Sequence, residues 1–293
     1  MGQLLLVLFT ALLLSQPCEG QIFFSDTAWT KDVQVGPTTY RVVHIQPIVN
    51  PDGQWLPSTR RLIEQARNFV LEEYFKAHLV AERDSGIIEL INDEFSKKNV
   101  LSVMVYENQN DGRPWRLAGL LRGYMADKGS DGLLALEEMV PPQSLEKIGR
   151  SLSEMGPHIP AMELGNYAMN TGQPALVQSL VTKGMVDLMA KLFGNDMDVF
   201  VQTSKGVREV AYRRYFNLST IHEFQDPRFE DRVSVIMYNR LEKIRAKTVQ
   251  LHRRLAEKMG ISFEEIEPPD RSATMEIQGG LKQIKGCRQL VAQ

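Results

Sequence analysis

Glu163 stands between Met162 and Leu164 in "AMELGNYAMN", residues 161–170, a run whose alternation reads as a strand. On a strand a carboxylate flanked by two large apolar residues points to the face opposite theirs. If that face lines a cleft, loss of water raises its proton affinity and makes it a general base. A second reading makes Glu163 a structural carboxylate paired with Arg122, which lies in another strand-like run, "WRLAGLLRGYMA". The two readings are compatible, because such a pair also orients an acid. Tyr212 and Tyr215, in "VAYRRYFN" on a short helix, add phenols that can deliver a proton or simply pack.

The strand carrying Glu163 runs through "NTGQP" into an amphipathic helix from Pro174. The backbone N–H groups of Thr171, Gly172, Gln173 and Ala175 open that helix, and its dipole favours a phosphate there. Pro174 in the first turn sacrifices no helical hydrogen bond. The paired glycines of a phosphate loop are missing, so the same residues describe a simple turn before a helix equally well. Leu176, Val177, Leu180, Val181, Leu188, Met189 and Leu192 form an apolar stripe, which is core packing.

The elements that must position these residues follow from periodicity and turn chemistry. A β-rich run at 38–48 is the first strand, and Ser58 caps a helix with Leu62, Ala66, Phe69, Val70 and Phe75 on one side. Asp84 opens a second helix that buries Ile87, Leu90, Ile91 and Phe95. Residues 100–107 and 115–126 form a hairpin around "NQNDGRP". A short helix is expected at 144–155. Strands follow at 162–169, 197–204 and 217–224, with the long helix from Pro174 and a short helix at 205–216 between them. A strand at Val233 leads into a basic helix that ends at Gly260. The order β-α-α-β-β-(irregular)-β-α-β-α-β-β-α predicts an α/β or α+β fold: a mixed central sheet flanked by helices, with an extra C-terminal helix.

Composition narrows the function classes. The chain has 293 residues, 43% of them hydrophobic, and a formal net charge of −2. That balance provides no basic field, so nucleic acid is not an expected partner. Cys18 and Cys287 are the two cysteines, which excludes a disulfide framework or a Cys-rich metal centre. No metal site is expected from the five histidines, and no G-x-S-x-G hydrolase elbow is present.

Residues 4–14, "LLLVLFTALLL", are too short to cross a bilayer comfortably and fit the apolar middle of a secretory signal. Cys18 and Gly20 are the small residues before a cut ahead of Gln21, although "MGQ" lacks Lys and Arg. The reading divides the chain into a signal-like segment (1–20), a linker (21–37), a main domain (38–260) and a C-terminal extension (261–293). Export or a periplasmic location is expected, with a membrane anchor on a cytoplasmic domain as the alternative.

The element order and three local runs resemble the GNAT-like acyltransferase fold, nearest to the branch of acyl-homoserine-lactone synthases and N-acyl amino acid synthases. "RLAGLLRGYM" is similar to the second hairpin strand of that branch and places Arg122. "LLALEEMVPP" is similar to the acidic-hydrophobic segment after it and includes Glu138. "MELGNYAMN" is similar to the central strand and places Glu163. The branch has Arg where this chain has Asn166, and of the acetyltransferase phosphate loop only Gly172 is present.

The resemblance implies transfer of an acyl group from an acyl-CoA or acyl-carrier-protein thioester to a small amine, with no tightly bound cofactor. It implies Glu163 as acid–base and Tyr212 as the acid at the leaving thiol. It implies that Tyr167, Met169, Thr171, Gly172 and Gln173 hold the thioester arm and its phosphate, and that Arg122, Glu138 and Asn166 contact substrate. The alternative expectation is an exported, non-catalytic domain of this fold that binds a lipid or peptide in the former acyl slot. Oligomeric state is left open.

Overall fold

Consecutive hairpins build one half of the sheet. β1 (Trp29–Val35), β2 (Thr38–Ile45), β3 (Val100–Asn108), β4 (Arg116–Met125) and β5 (Ala161–Met169) pair in sequence order, all antiparallel. β6 (Asp198–Ser204) joins β5 in parallel, and β8 (Val233–Arg240) then β7 (Ser219–Gln225) complete an eight-stranded mixed sheet. The longer helices among the described residues are α1 (Pro57–Lys76), α2 (Ser85–Ser96), α3 (Pro174–Phe193), α4 (Val207–Phe216) and α5 (Leu241–Met259). This computed structural model describes residues 29–45, 57–76, 85–96, 100–125, 140–144, 146–148, 161–170, 172, 174–226 and 233–262.

Three buried clusters cover the two faces of the sheet, the third built from Val140, Ile148, Phe200, Phe224, Ile236 and Tyr238. β3 is buried along nearly its whole length: Leu101, Val103 and Val105 face α3, while Met104 and Tyr106 face α1 and α2. Such a strand reads as a continuous apolar run because both its faces are covered. α1 lays Leu62, Ala66, Phe69 and Val70 on one face, and α2 adds Ile91 and Phe95 at i, i+4 spacing. On the opposite side α3 lies between the sheet and α5, which buries Leu241, Ile244, Thr248, His252 and Ala256. α5 ends at Gly260, whose left-handed φ of 66° supplies the expected stop. Among the described residues no helix is long and apolar enough to cross a membrane.

The expected α/β order is present, and every strand and helix placed from sequence in the described residues is found, with one addition. β1 occupies 29–35, inside the segment read as a linker, and pairs along its whole length with β2. Gly36, at φ 58°, turns the chain between them. The main domain therefore begins ahead of residue 38. In the short helix expected at 144–155, residues 142–144 and 146–148 are helical, and the remainder falls outside the described residues, as do 1–28 and 263–293.

Candidate functional site

A cleft opens where β5 and β6 part. The two strands pair only over Ala161–Leu164 against Asp198–Val201. Beyond Leu164, β5 keeps its other neighbour, β4, as far as Met169. The parting coincides with a bulge: Arg122 is opposite Gly165 and Leu120 opposite Ala168, so Asn166 and Tyr167 together face Leu121. Asn166 takes the left-handed conformation at φ 49°, which asparagine tolerates better than most residues. The bulge bends β5 away from β6. A cavity of about 380 Å³ fills the gap, walled by Gly165–Met169, by Gln202 and Thr203 of β6, by Glu73 and Tyr74 of α1, and by Arg208, Tyr212 and Tyr215 of α4. β5 is thus an interior strand with one free half.

A buried polar network holds the bulge. The Asn166 side-chain amide donates to a Glu94 carboxylate oxygen at 2.9 Å and to the Tyr124 hydroxyl. Arg122, only 2% exposed, donates to the Tyr124 hydroxyl at 3.1 Å and to the Glu94 carbonyl at 3.2 Å. Its guanidinium lies 3.7 Å from the Phe95 ring centroid. Burial lowers the Arg122 pKa, while the neighbouring Tyr124, Glu94 and Tyr74 work in the other direction. The Arg122–Glu163 pair expected from sequence does not form. Glu163 is opposite Tyr124, and the carboxylate that faces Arg122 is Glu94.

Three phenols at the cavity, Tyr74, Tyr167 and Tyr212, are held protonated. Burial pushes the Tyr74 hydroxyl up to about 12, with the Glu94 charge adding to it. Burial likewise raises Tyr212, aided by Tyr74 and Glu163 and opposed by Arg208. Tyr167 is raised by burial and by Tyr212 and Tyr215. The Tyr167 and Tyr212 rings lie 6.5 Å apart across the cleft, and Tyr212 packs at 5.7 Å on Phe216. A neutral phenol in a partly dry cleft is an O–H donor, suited to protonating a leaving group.

Of the site residues expected from sequence, Asn166, Tyr167, Met169 and Tyr212 come together on the cavity wall. Glu163 sits behind it, two residues before Gly165, is 4% exposed, and is close enough for its charge to act on Tyr124 and Tyr212. Arg122 belongs to the supporting network. Gly172 is exposed, ahead of α3 and away from the cavity wall. Thr171, Gln173 and Glu138 lie outside the described residues. Sequence reasoning missed Glu73, Tyr74, Glu94, Tyr124 and Arg208. Glu73 and Tyr74 had a signal, since they follow the apolar face of α1 at its end. Among the described residues no cluster of three or more His, Cys, Asp or Glu is arranged to hold a metal ion.

No family model matches the chain. No curated protein matches it either. Solved structures similar to it include FeeM, an N-acyl amino acid synthase from uncultured soil microbes, at 11% identity over 74% of this chain and 97% of that one, with a TM-score of 0.46. The CoA-dependent acyl-homoserine lactone synthase BjaI, with MTA, is similar at 11% identity over 80% of this chain and 97% of that one, with a TM-score of 0.43. MesI, another CoA-dependent acyl-homoserine lactone synthase, is similar at 14% identity over 75% and 95%, with a TM-score of 0.38. These are likenesses of fold between chains of low identity, and the chemistry of the cleft rests on its own geometry.

Proposed function

We propose that the chain is an N-acyltransferase that takes an acyl thioester, carried on CoA or an acyl carrier protein, and transfers the acyl group to a small amine. The observation that carries this reading is the parted strand pair: β5 offers a backbone edge from Gly165 to Met169 inside a cavity walled by Tyr74, Tyr167 and Tyr212. A pantetheine arm is an extended chain of amides, and it pairs with such an edge as an added strand. The amine nitrogen attacks the thioester carbonyl carbon, the C–N bond forms, and the C–S bond breaks. Tyr212 gives its proton to the departing thiolate. The amine's proton passes to Glu163 through a relay, because Glu163 lies behind the cavity wall, and exchange with solvent restores both groups.

The test is direct. Purified protein is mixed with acyl-CoA or acyl carrier protein and a panel of amines, and free thiol and amide product are measured together. Thiol release matched by amide formation, and lost in Glu163→Gln, is the expected result. A protein that neither binds nor consumes any thioester overturns the reading.

The apolar run at 4–14 favours a second reading, in which the chain is exported and its cleft binds a lipid or peptide without turnover. Fractionation and sequencing of the mature N-terminus separate the two. A first residue of Gln21 outside the cytoplasm, with bound acyl chain and no thioester turnover, favours the second.

A further inference from the structure

The described residues have three large apolar side chains that stand in water: Val207 at 88%, Val210 at 57% and Val233 at 38% exposure. They are not scattered. Val207 and Val210 are one turn apart on α4, and Arg214 continues the same outward row. Val233 begins β8, and its carbonyl accepts from the Lys205 N–H at 2.9 Å, two residues before Val207. Four cations surround this tip: Lys205, Arg208, Arg213 and Arg214. Glu223 neutralises Lys205 and Glu209 neutralises Arg213, both at 2.6 Å. Arg208 and Arg214 make no ion pair among the described residues.

We infer that this tip is a docking surface for an anionic lipid bilayer. Exposed aliphatic groups leave water by entering the headgroup–acyl boundary, and the cations beside them meet lipid phosphates and carboxylates. Charge complementarity selects this occupant: a neutral apolar partner leaves Arg214, in the same outward row as Val207 and Val210, unmatched, whereas an anionic surface matches it. The position has a further consequence, which rests on the acyl-transfer reading. Arg208, Ala211 and Tyr215 of the same helix line the cavity, so the cleft opens beside the tip. A long acyl product leaves the cleft directly into the bilayer.

The experiment uses the full chain and needs no turnover, so it stands apart from the test of acyl transfer. Vesicles of phosphatidylcholine, with and without phosphatidylserine, are sedimented with the protein and the bound fraction is measured. Binding that requires phosphatidylserine is expected, with about a tenfold loss in the double variant Val207→Asp/Val210→Asp and a similar loss in Arg214→Glu. Lys258→Glu, at the far end of α5, is expected to bind like the parent. A thermal melt checks folding, and Arg214→Glu decides the matter if the double variant melts early. Binding that is insensitive to phosphatidylserine and equal in the variants overturns the inference and assigns the contact to the apolar run at 4–14. Absence of vesicle binding, with variant-sensitive retention on an acidic carrier protein instead, overturns it as well.

Discussion

The Asn166 side chain donates to the Glu94 carboxylate at 2.9 Å, so the β5 bulge is held by a helix residue 72 positions earlier in the chain. The bulge opens the cleft, and the network around Arg122 and Tyr124 keeps the bulge in one shape. Support of this kind precedes any chemistry, because a loosely held edge cannot position a ligand.

Asn166 is the first place to test that support. Asn166→Ala removes two buried hydrogen bonds and places a less tolerant residue at φ 49°, and a loss of about 1–3 kcal/mol is expected. Asn166→Gly loses the same hydrogen bonds but relieves the backbone, so it is expected to lose less. Urea denaturation of the two variants checks the order.

Arg122→Lys tests the geometry of the buried cation. An ammonium cannot reach both Tyr124 and the Glu94 carbonyl while stacking flat on Phe95. The denaturation midpoint is expected to fall by the equivalent of about 1–3 kcal/mol, with an unchanged slope.

Alkaline stability reports on Tyr74. Its proton affinity is raised from 10.0 to about 12 in the folded state, so the folded chain holds this proton more tightly than the unfolded chain. The group's contribution is therefore fully present below pH 10 and is lost as pH rises through about 12. Melting temperatures across that window are expected to fall less steeply in Tyr74→Phe than in the parent.

Tyr212→Phe separates acid catalysis from packing. The ring keeps its neighbours Tyr167 and Phe216, so the melt is expected to hold. If the phenol protonates the leaving thiolate, kcat falls by about 100-fold while KM for the thioester changes little.

Local signals carried the fold, and long-range register did not. The β5–α3 junction, both central hairpin strands and the stop at Gly260 each have a sequence mark within a few residues of where they act. β1 lacked one strong enough to be seen, because Asp32 and Gln34 make its outward face polar and Lys31 interrupts the face that carries Val33 and Val35. The Arg122–Glu163 expectation failed for a register reason: Arg122 falls opposite Gly165, and α2 brings Glu94 over it from a distant part of the chain. The place of Tyr167, Met169 and Tyr212 beside one another was legible because they lie on the elements that carry the cleft. Arg208 was not, and the place of Glu73 and Tyr74 on α1 was legible while their meeting with α4 was not, since no local pattern states which residues of separate helices meet across a parted sheet.

The brief pairing of β5 with β6 makes the sheet a seam as well as a scaffold. Among the described residues five strands on one side and three on the other are laddered together by Ala161–Leu164 alone, and α3, which packs on β2 to β5, reaches the far side only through α5, which packs on β8. A molecule whose amides pair with the free half of β5 supplies the missing rungs. Occupancy then stitches the two sub-sheets together, and the ligand's binding energy becomes part of the cohesion of the fold itself.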